Sequence, residues 1–279
     1  MRVLVASEKG GVGKSFVSAN VIAPAMWLAM KRKIRLAEVD ASNFTTEFYT
    51  KSSILEAETI QVRINTKKVK DDEFFAFLNN KDKLAETKES EEIYEEVDKA
   101  INIMIQKKFD IVDVGSNATV VFLNTLIRKE LLKYFDYIFL IAGANVQELT
   151  LSVKSYVILQ ENGYDTRKIF FVINKYKEEI EEKLQGYKSY ITENNLIRIR
   201  EMPDYNTRIM TARVIIWDVI EKYKEEALRK ELDEAIRNEK VDEIEKIANK
   251  LDLLNKAKLF YYTNDFKRLM NLFRDGIKT

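Results

Sequence analysis

Lys9-Gly10-Gly11-Val12-Gly13-Lys14-Ser15 gathers three glycines, two lysines and a serine into seven residues. An apolar run, Val3-Leu4-Val5-Ala6, comes before it and a helix-like segment, Phe16 to Met30, comes after. Strand, glycine-rich turn and helix start are the surroundings that a phosphate-holding loop needs. Glycines let backbone N–H groups curl around phosphate oxygens, and the helix N-terminus adds positive potential. In that chemistry Lys14 reaches the outer phosphates and Ser15 offers its hydroxyl to Mg²⁺. The common form of the loop has glycine five residues before its last glycine. Here that place is Glu8, and a second lysine, Lys9, opens the run.

Two acidic strand ends extend the pattern. Glu38-Val39-Asp40-Ala41-Ser42-Asn43 closes an apolar run, and a carboxylate there can hold a metal-bound water or orient an attacking one. Asp40 in isolation would serve equally well as a helix cap or turn residue. Ile111-Val112-Asp113-Val114-Gly115 has the form of a Walker-B strand, in which Asp113 binds Mg²⁺ through water and Gly115 frees the next loop to follow a γ-phosphate. Asn174-Lys175 and Pro203-Asp204 end two later apolar runs, where a base could dock or a plain turn could form.

Composition limits the remaining chemistry. The 279 residues carry a net charge of +1, no cysteine and no histidine. Disulfides, thiolate metal sites, iron–sulfur clusters, cysteine nucleophiles and imidazole acid–base catalysis are all excluded. Bulk charge points to no polyanion, so any such contact needs a local patch. The N-terminus runs straight into a strand, no apolar run approaches ~18 residues, and a reducing cytoplasm is the expected setting.

The elements that must position these residues follow from hydrophobic periodicity. Strands are expected at 2–6, 34–39, 59–64, 111–114, 137–142, 169–173 and 196–200, mostly as short buried apolar runs. Helices are expected at 14–30, 91–107, 120–134, 146–161 and 177–194. Alternation of the two implies an α/β fold, a mostly parallel sheet flanked by helices on both faces. The segment 67–99 is densely charged and reads as a solvated helical face. From Thr207 the pattern is helical throughout, so the chain divides into residues 1–206 and an all-helical C-terminal extension over residues 207–279.

Lys-Gly-Gly-Val-Gly-Lys-Ser resembles the deviant Walker A loop of the ParA/MinD group of P-loop ATPases. Glu38 to Asn43 is similar to the ParA pattern Asp-x-Asp-Pro-Gln, with Asp40 at the switch I aspartate and Glu38, Ala41 and Ser42 as departures. Asp113-Val114-Gly115 stands at the switch II place. The likeness covers roughly residues 1–215 and is greatest to ParA relatives on plasmids and conjugative elements. It implies ATP and Mg²⁺ as cofactors. It also implies nucleotide binding by Lys9, Gly10, Gly11, Val12, Gly13, Lys14, Ser15 and Phe16, with Asn174, Pro203 and Asp204 at the adenine. Ser15, Asp40 and Asp113 would serve the metal, and Lys9, Lys14, Asp40 and Asp113 the hydrolysis of ATP to ADP and phosphate.

The resemblance further implies a homodimer formed on ATP, in which Lys9 reaches the partner's nucleotide, and a partner protein that stimulates hydrolysis. Missing cysteines set aside the nitrogenase-type and scaffold-type relatives. A ParA-like role in partitioning or positioning plasmid or chromosomal DNA, or other cargo, would use basic residues such as Arg208, Arg213, Lys222, Lys224, Arg229 and Lys230 on DNA phosphates, placing the protein at the nucleoid. A MinD-like role would use an amphipathic C-terminal helix bearing Phe266, Leu269, Met270, Phe273 and Ile277 at a membrane. The same apolar stripe would equally suit a helix docked on the core. A metabolic or assembly enzyme built on the same loop is the third reading.

Overall fold

The computed structural model describes residues 1–40, 49, 51–62, 88–200 and 215–278. Seven strands form one sheet: β1 (Val3–Ala6), β2 (Ile34–Asp40), β3 (Leu55–Gln61), β4 (Ile111–Val114), β5 (Tyr137–Ala142), β6 (Ile169–Tyr176) and β7 (Leu196–Arg200). Their order is β3-β2-β4-β1-β5-β6-β7, and every pairing is parallel. β1 lies between β4 and β5, so the loop after β1 emerges at the centre of the sheet's carboxyl rim. That is where ligands bind in open parallel sheets.

Alternation along the strands divides the core in two. Leu4, Ala37, Val39, Val112 and Val114 face one side, where they pack with α3 (Lys88–Lys107), α4 (Ser116–Arg128), α5 (Val146–Glu161) and α6 (Ile180–Gln185). Val3, Val5, Leu36, Ile111 and Phe139 face the other side. That face is covered by the helix after the glycine loop together with the C-terminal helices α7 (Ile216–Lys222), α9 (Val241–Tyr261) and α10 (Asn264–Lys278). α8 (Glu225–Arg237) adds a small satellite core, in which Leu228 and Ala235 meet Ile247, Leu251 and Leu254 of α9. The C-terminal helices therefore complete the main core. Phe266, Leu269 and Phe273 of α10 are buried there, Met270 packs against it, and Ile277 is about half exposed.

α10 also closes one margin of the sheet. Arg268 donates to the carbonyls of Leu196 and Glu193, and Asp265 accepts from the Arg198 backbone N–H. Side chains on backbone groups at an edge strand remove the template for another strand.

Several boundaries differ from the periodicity reading. The predicted helix 14–30 is three pieces: α1 (Lys14–Val17), a π turn (Ser18–Ile22) and α2 (Ala23–Met30). Strand β3 begins at Leu55 and ends at Gln61, not 59–64, because an edge strand with Glu56 and Glu58 on it has no continuous apolar signal. The helix expected at 120–134 is α4, Ser116–Arg128, followed by a 3-10 turn over Leu132–Tyr134. Glu130 stops it in the left-handed region (φ 56°), with Leu131 N–H bonded to the Leu126 carbonyl. That stop usually carries glycine, and a glutamate there gives no warning. Of the helix expected at 177–194 only α6 forms. Ile180 and Leu184 supply one buried turn, and the chain leaves the helix at Gly186. The charged stretch 67–99 falls largely outside the described residues, which take up α3 from Lys88.

Candidate functional site

The loop between β1 and α1 is held from three sides. Gly13, at φ 89°, caps α1 without a side chain, and an added Cβ would stand 2.2 Å from Asn174 Nδ2. Asn174 in turn donates from Nδ2 to the Val12 carbonyl at 2.8 Å. The next residue, Lys175, takes a left-handed conformation (φ 55°) at an irregularity in the β6–β7 pairing. From the second side, Thr119 Oγ1 of α4 donates to the Ser7 carbonyl at 3.1 Å. From the third, Ser155 Oγ of α5 donates to Glu8 Oε1. The departure at Glu8 thus anchors the loop to α5.

Lys9, Gly10 and Gly11 are exposed at the mouth of this loop, while Val12 and Lys14 are buried. The first-turn N–H groups of α1 point out of the helix end toward the loop hollow, the geometry that accepts phosphate oxygens. Phe16 contributes no side chain there. Its ring is buried and meets Phe260 of α9 edge-on, with centroids 5.9 Å apart. Any part Phe16 plays toward a nucleotide is through its backbone N–H.

Glu38 and Asp113 are register partners on β2 and β4, and both face the glycine-loop helix. Asp40 follows one residue pair further along the same face. All three are buried, and so is Lys14 among them. Burial holds the Lys14 ammonium below its ordinary value, while Asp113, Asp40 and Glu38 pull it back up. Burial pushes the Asp113 carboxyl up to about 6; Lys14 and the hydroxyls of Ser18 and Ser15 draw it down, and the neighbouring Glu38 charge raises it. Ser15 Oγ lies 3.5 Å from Glu38 Oε1 as a long donor contact.

The residues suit ATP with Mg²⁺. Gly13 lets Asn174 close against the back of the loop, and one hydroxyl and three carboxylates lie on the side of a buried lysine. Among the described residues no three acidic side chains form a ready metal cage. Mg²⁺ does not need one, since it keeps several waters and takes phosphate oxygens as ligands.

The structure thus brings together Lys14, Ser15, Asp40 and Asp113, with Asn174 against the loop's back. Asn174 touches the glycine loop directly, through its bond to the Val12 carbonyl. Pro203 and Asp204 lie outside the described residues, as do Arg208 and Arg213. Two residues of the site were missed in the sequence. Glu38 departs from the family pattern, yet its place two residues before Asp40 puts it on the same strand face. Tyr49 is buried, with its hydroxyl raised by burial and then by the charges of Asp113 and Glu38; nothing in the local sequence marks it.

Residues 3–215 match the model of the CobQ/CobB/MinD/ParA nucleotide binding domain. The chain belongs to this family. Among proteins with curated descriptions no sequence matches it. Solved structures similar to this ParA/MinD-family chain include a ParA family ATPase from Chlorobium tepidum, at 16% identity and a TM-score of 0.44, covering 76% of this chain and 90% of that one. A plasmid partition protein from Borrelia burgdorferi bound to AMPPNP gives 17% and 0.43, over 73% and 88% of the two chains. The MinC:MinD cell division complex of Aquifex aeolicus gives 18% and 0.41, over 80% and 90%. Membership rests on the family match.

Proposed function

We propose that this chain is a ParA-like ATPase that binds ATP with Mg²⁺, pairs with a second copy while the triphosphate is intact, and separates after hydrolysis. One observation carries the reading: a single loop exposes Lys9 at its mouth and buries Lys14 among Glu38, Asp40 and Asp113. A buried ammonium suits the phosphates of its own nucleotide. An exposed one five residues earlier suits charge on a nucleotide held by another subunit, the part an arginine finger plays elsewhere. When bound, Mg²⁺ would offset phosphate charge, with Ser15 as its protein ligand and Asp113 holding a metal-bound water. Asp40, the last residue of β2, would orient the attacking water.

Cargo positioning on DNA is the role we favour. Lys222, Lys224, Arg229 and Lys230 are exposed on α7, α8 and their junction, as phosphate contacts require. Arg229 already pairs with Glu225 at 2.7 Å, as does Lys258 at 2.6 Å, so Lys222, Lys224 and Lys230 are the stronger candidates. The membrane reading draws no support from α10, whose apolar side is packed into the core. No described helix is long and apolar enough to cross a membrane.

Sedimentation with Mg-AMPPNP and with ADP, in the presence and absence of unrelated DNA duplexes at low salt, tests the reading. Nucleotide-triphosphate-dependent dimers that bind DNA in a salt-sensitive way are expected. A protein that stays monomeric with bound AMPPNP overturns it.

A further inference from the structure

We infer that the π turn in the helix after the glycine loop couples the metal-side acid Asp113 to the C-terminal helices, and that Asn20 is the positioning residue that carries the link. The inference rests on the nucleotide-binding reading above and extends it to how the bound state is passed on.

The turn lies between Asp113 and the C-terminal helices. Ser18, its first residue, is fully buried on the side of the Asp113 carboxylate, and its Oγ makes no hydrogen bond of its own. Asn20, two residues on, is buried, and its Oδ1 accepts the Ile216 N–H at 2.7 Å, the first N–H of α7. Two residues within one helical turn stand on opposite sides of the axis, so one side of this turn touches the site and the other touches α7. The contacts flanking it run to the same helices. Phe16, one residue after Ser15, meets Phe260 of α9, and Trp27 of α2 meets Trp217 of α7 at 5.6 Å. Trp217 also packs edge-on against Tyr261 at 5.0 Å.

A π turn holds an extra residue relative to the α segments on either side, and such turns concentrate at functional sites. Passing the extra residue to a neighbouring turn would give this element a second arrangement without breaking the helix elsewhere. A ligand that alters what Ser15 and Ser18 face shifts this element only by favouring one arrangement over the other. Phosphates and metal bound at Ser15 and Asp113 would change what those hydroxyls face. The arrangement in which Asn20 holds Ile216 is the one we assign to the nucleotide-bound protein. α7 and, through Trp217 and Tyr261, α9 then tighten on the loop helix when nucleotide enters.

Trp27 and Trp217 are the chain's two tryptophans, so their contact has a native optical signal. The full chain is titrated with Mg-AMPPNP while tryptophan emission is read. Binding is measured separately with a fluorescent ATP analogue, and amide exchange of a peptide spanning Ile216 is followed with and without Mg-AMPPNP. Emission should change with the same concentration dependence as binding. Exchange at Ile216 should slow by about fivefold or more, the low end for linked sites. Asn20→Ala should keep nucleotide binding and lose both responses. Binding with unchanged emission and unchanged Ile216 exchange overturns the inference and leaves the nucleotide reading intact. Absence of binding overturns both. Responses that persist in a folded Asn20→Ala protein remove Asn20 from the link. Should that variant not fold, the exchange result on the unaltered chain decides alone.

Discussion

The carboxylate of Asp40 rests directly on the backbone of Gly115: a Cβ added at position 115 would lie 2.4 Å from Asp40 Oδ2 and 2.7 Å from its Cγ. The Gly115 N–H also donates to the Val39 carbonyl at 2.7 Å, so the backbone cannot easily retreat. The ends of β2 and β4 are thus fitted to one another through a missing side chain.

Gly115→Ala should therefore displace Asp40. Overpacking of this kind costs about 1–3 kcal/mol of stability. Turnover should fall by about 10²-fold, the scale for losing one oriented catalytic group, with nucleotide affinity largely kept. Thermal unfolding and steady-state ATPase assays check the two parts separately. Turnover equal to that of the unaltered chain would mean that Asp40 has no part in positioning water.

Lys14→Ala should abolish hydrolysis, since the buried ammonium is the group nearest the expected phosphates. It also leaves Glu38, Asp40 and Asp113 with their shared cation gone, and breaking a buried charge cluster costs about 3–5 kcal/mol. Lys9→Ala should behave differently. Its side chain is exposed, so stability should hardly change, while AMPPNP-dependent dimers weaken. Analytical ultracentrifugation with the analogue separates the two lysines.

Asp113 sets a pH dependence. Its folded-state value, about 6, lies above the ordinary 3.8, so the folded protein binds a proton there more tightly than the unfolded chain does. That contribution is complete below the ordinary value and is lost as pH rises through about 6. The nucleotide-free protein should lose on the order of 2 kcal/mol from this group between about pH 4.5 and about pH 7.5. Asp113→Asn should remove that slope. Urea unfolding at the two pH values, with and without the substitution, measures it; parallel slopes would show that the buried carboxyl titrates normally.

Phe273→Ala tests the docking of α10. The ring is fully buried and meets Phe139 and Tyr137 edge-on. Removing such a side chain costs about 3–5 kcal/mol. A comparable loss of unfolding free energy is expected, and liposome pelleting of the unaltered chain should stay at background. A stable variant together with strong pelleting of the parent would mean that the helix leaves the core to work at a bilayer.

The central strands were legible because their runs are continuous and apolar: β4, β5 and β7 lie where periodicity puts them. The phosphate loop was legible because glycine spacing and strand–helix context agree. Glu38 was not, because a glutamate in an apolar strand reads as an exception until the register with Asp113 is known. Asn174 could be placed at a strand end from sequence. Its bond to the Val12 carbonyl, 162 positions away, has no local mark in the sequence. Asn20 is one more polar residue in a helix until its distant neighbour, 196 positions away, is seen.

Arg268 and Asp265 together act as a selvedge on the outermost strand. With that border stitched to the protein's own last helix, a second molecule cannot lengthen the pleated layer there.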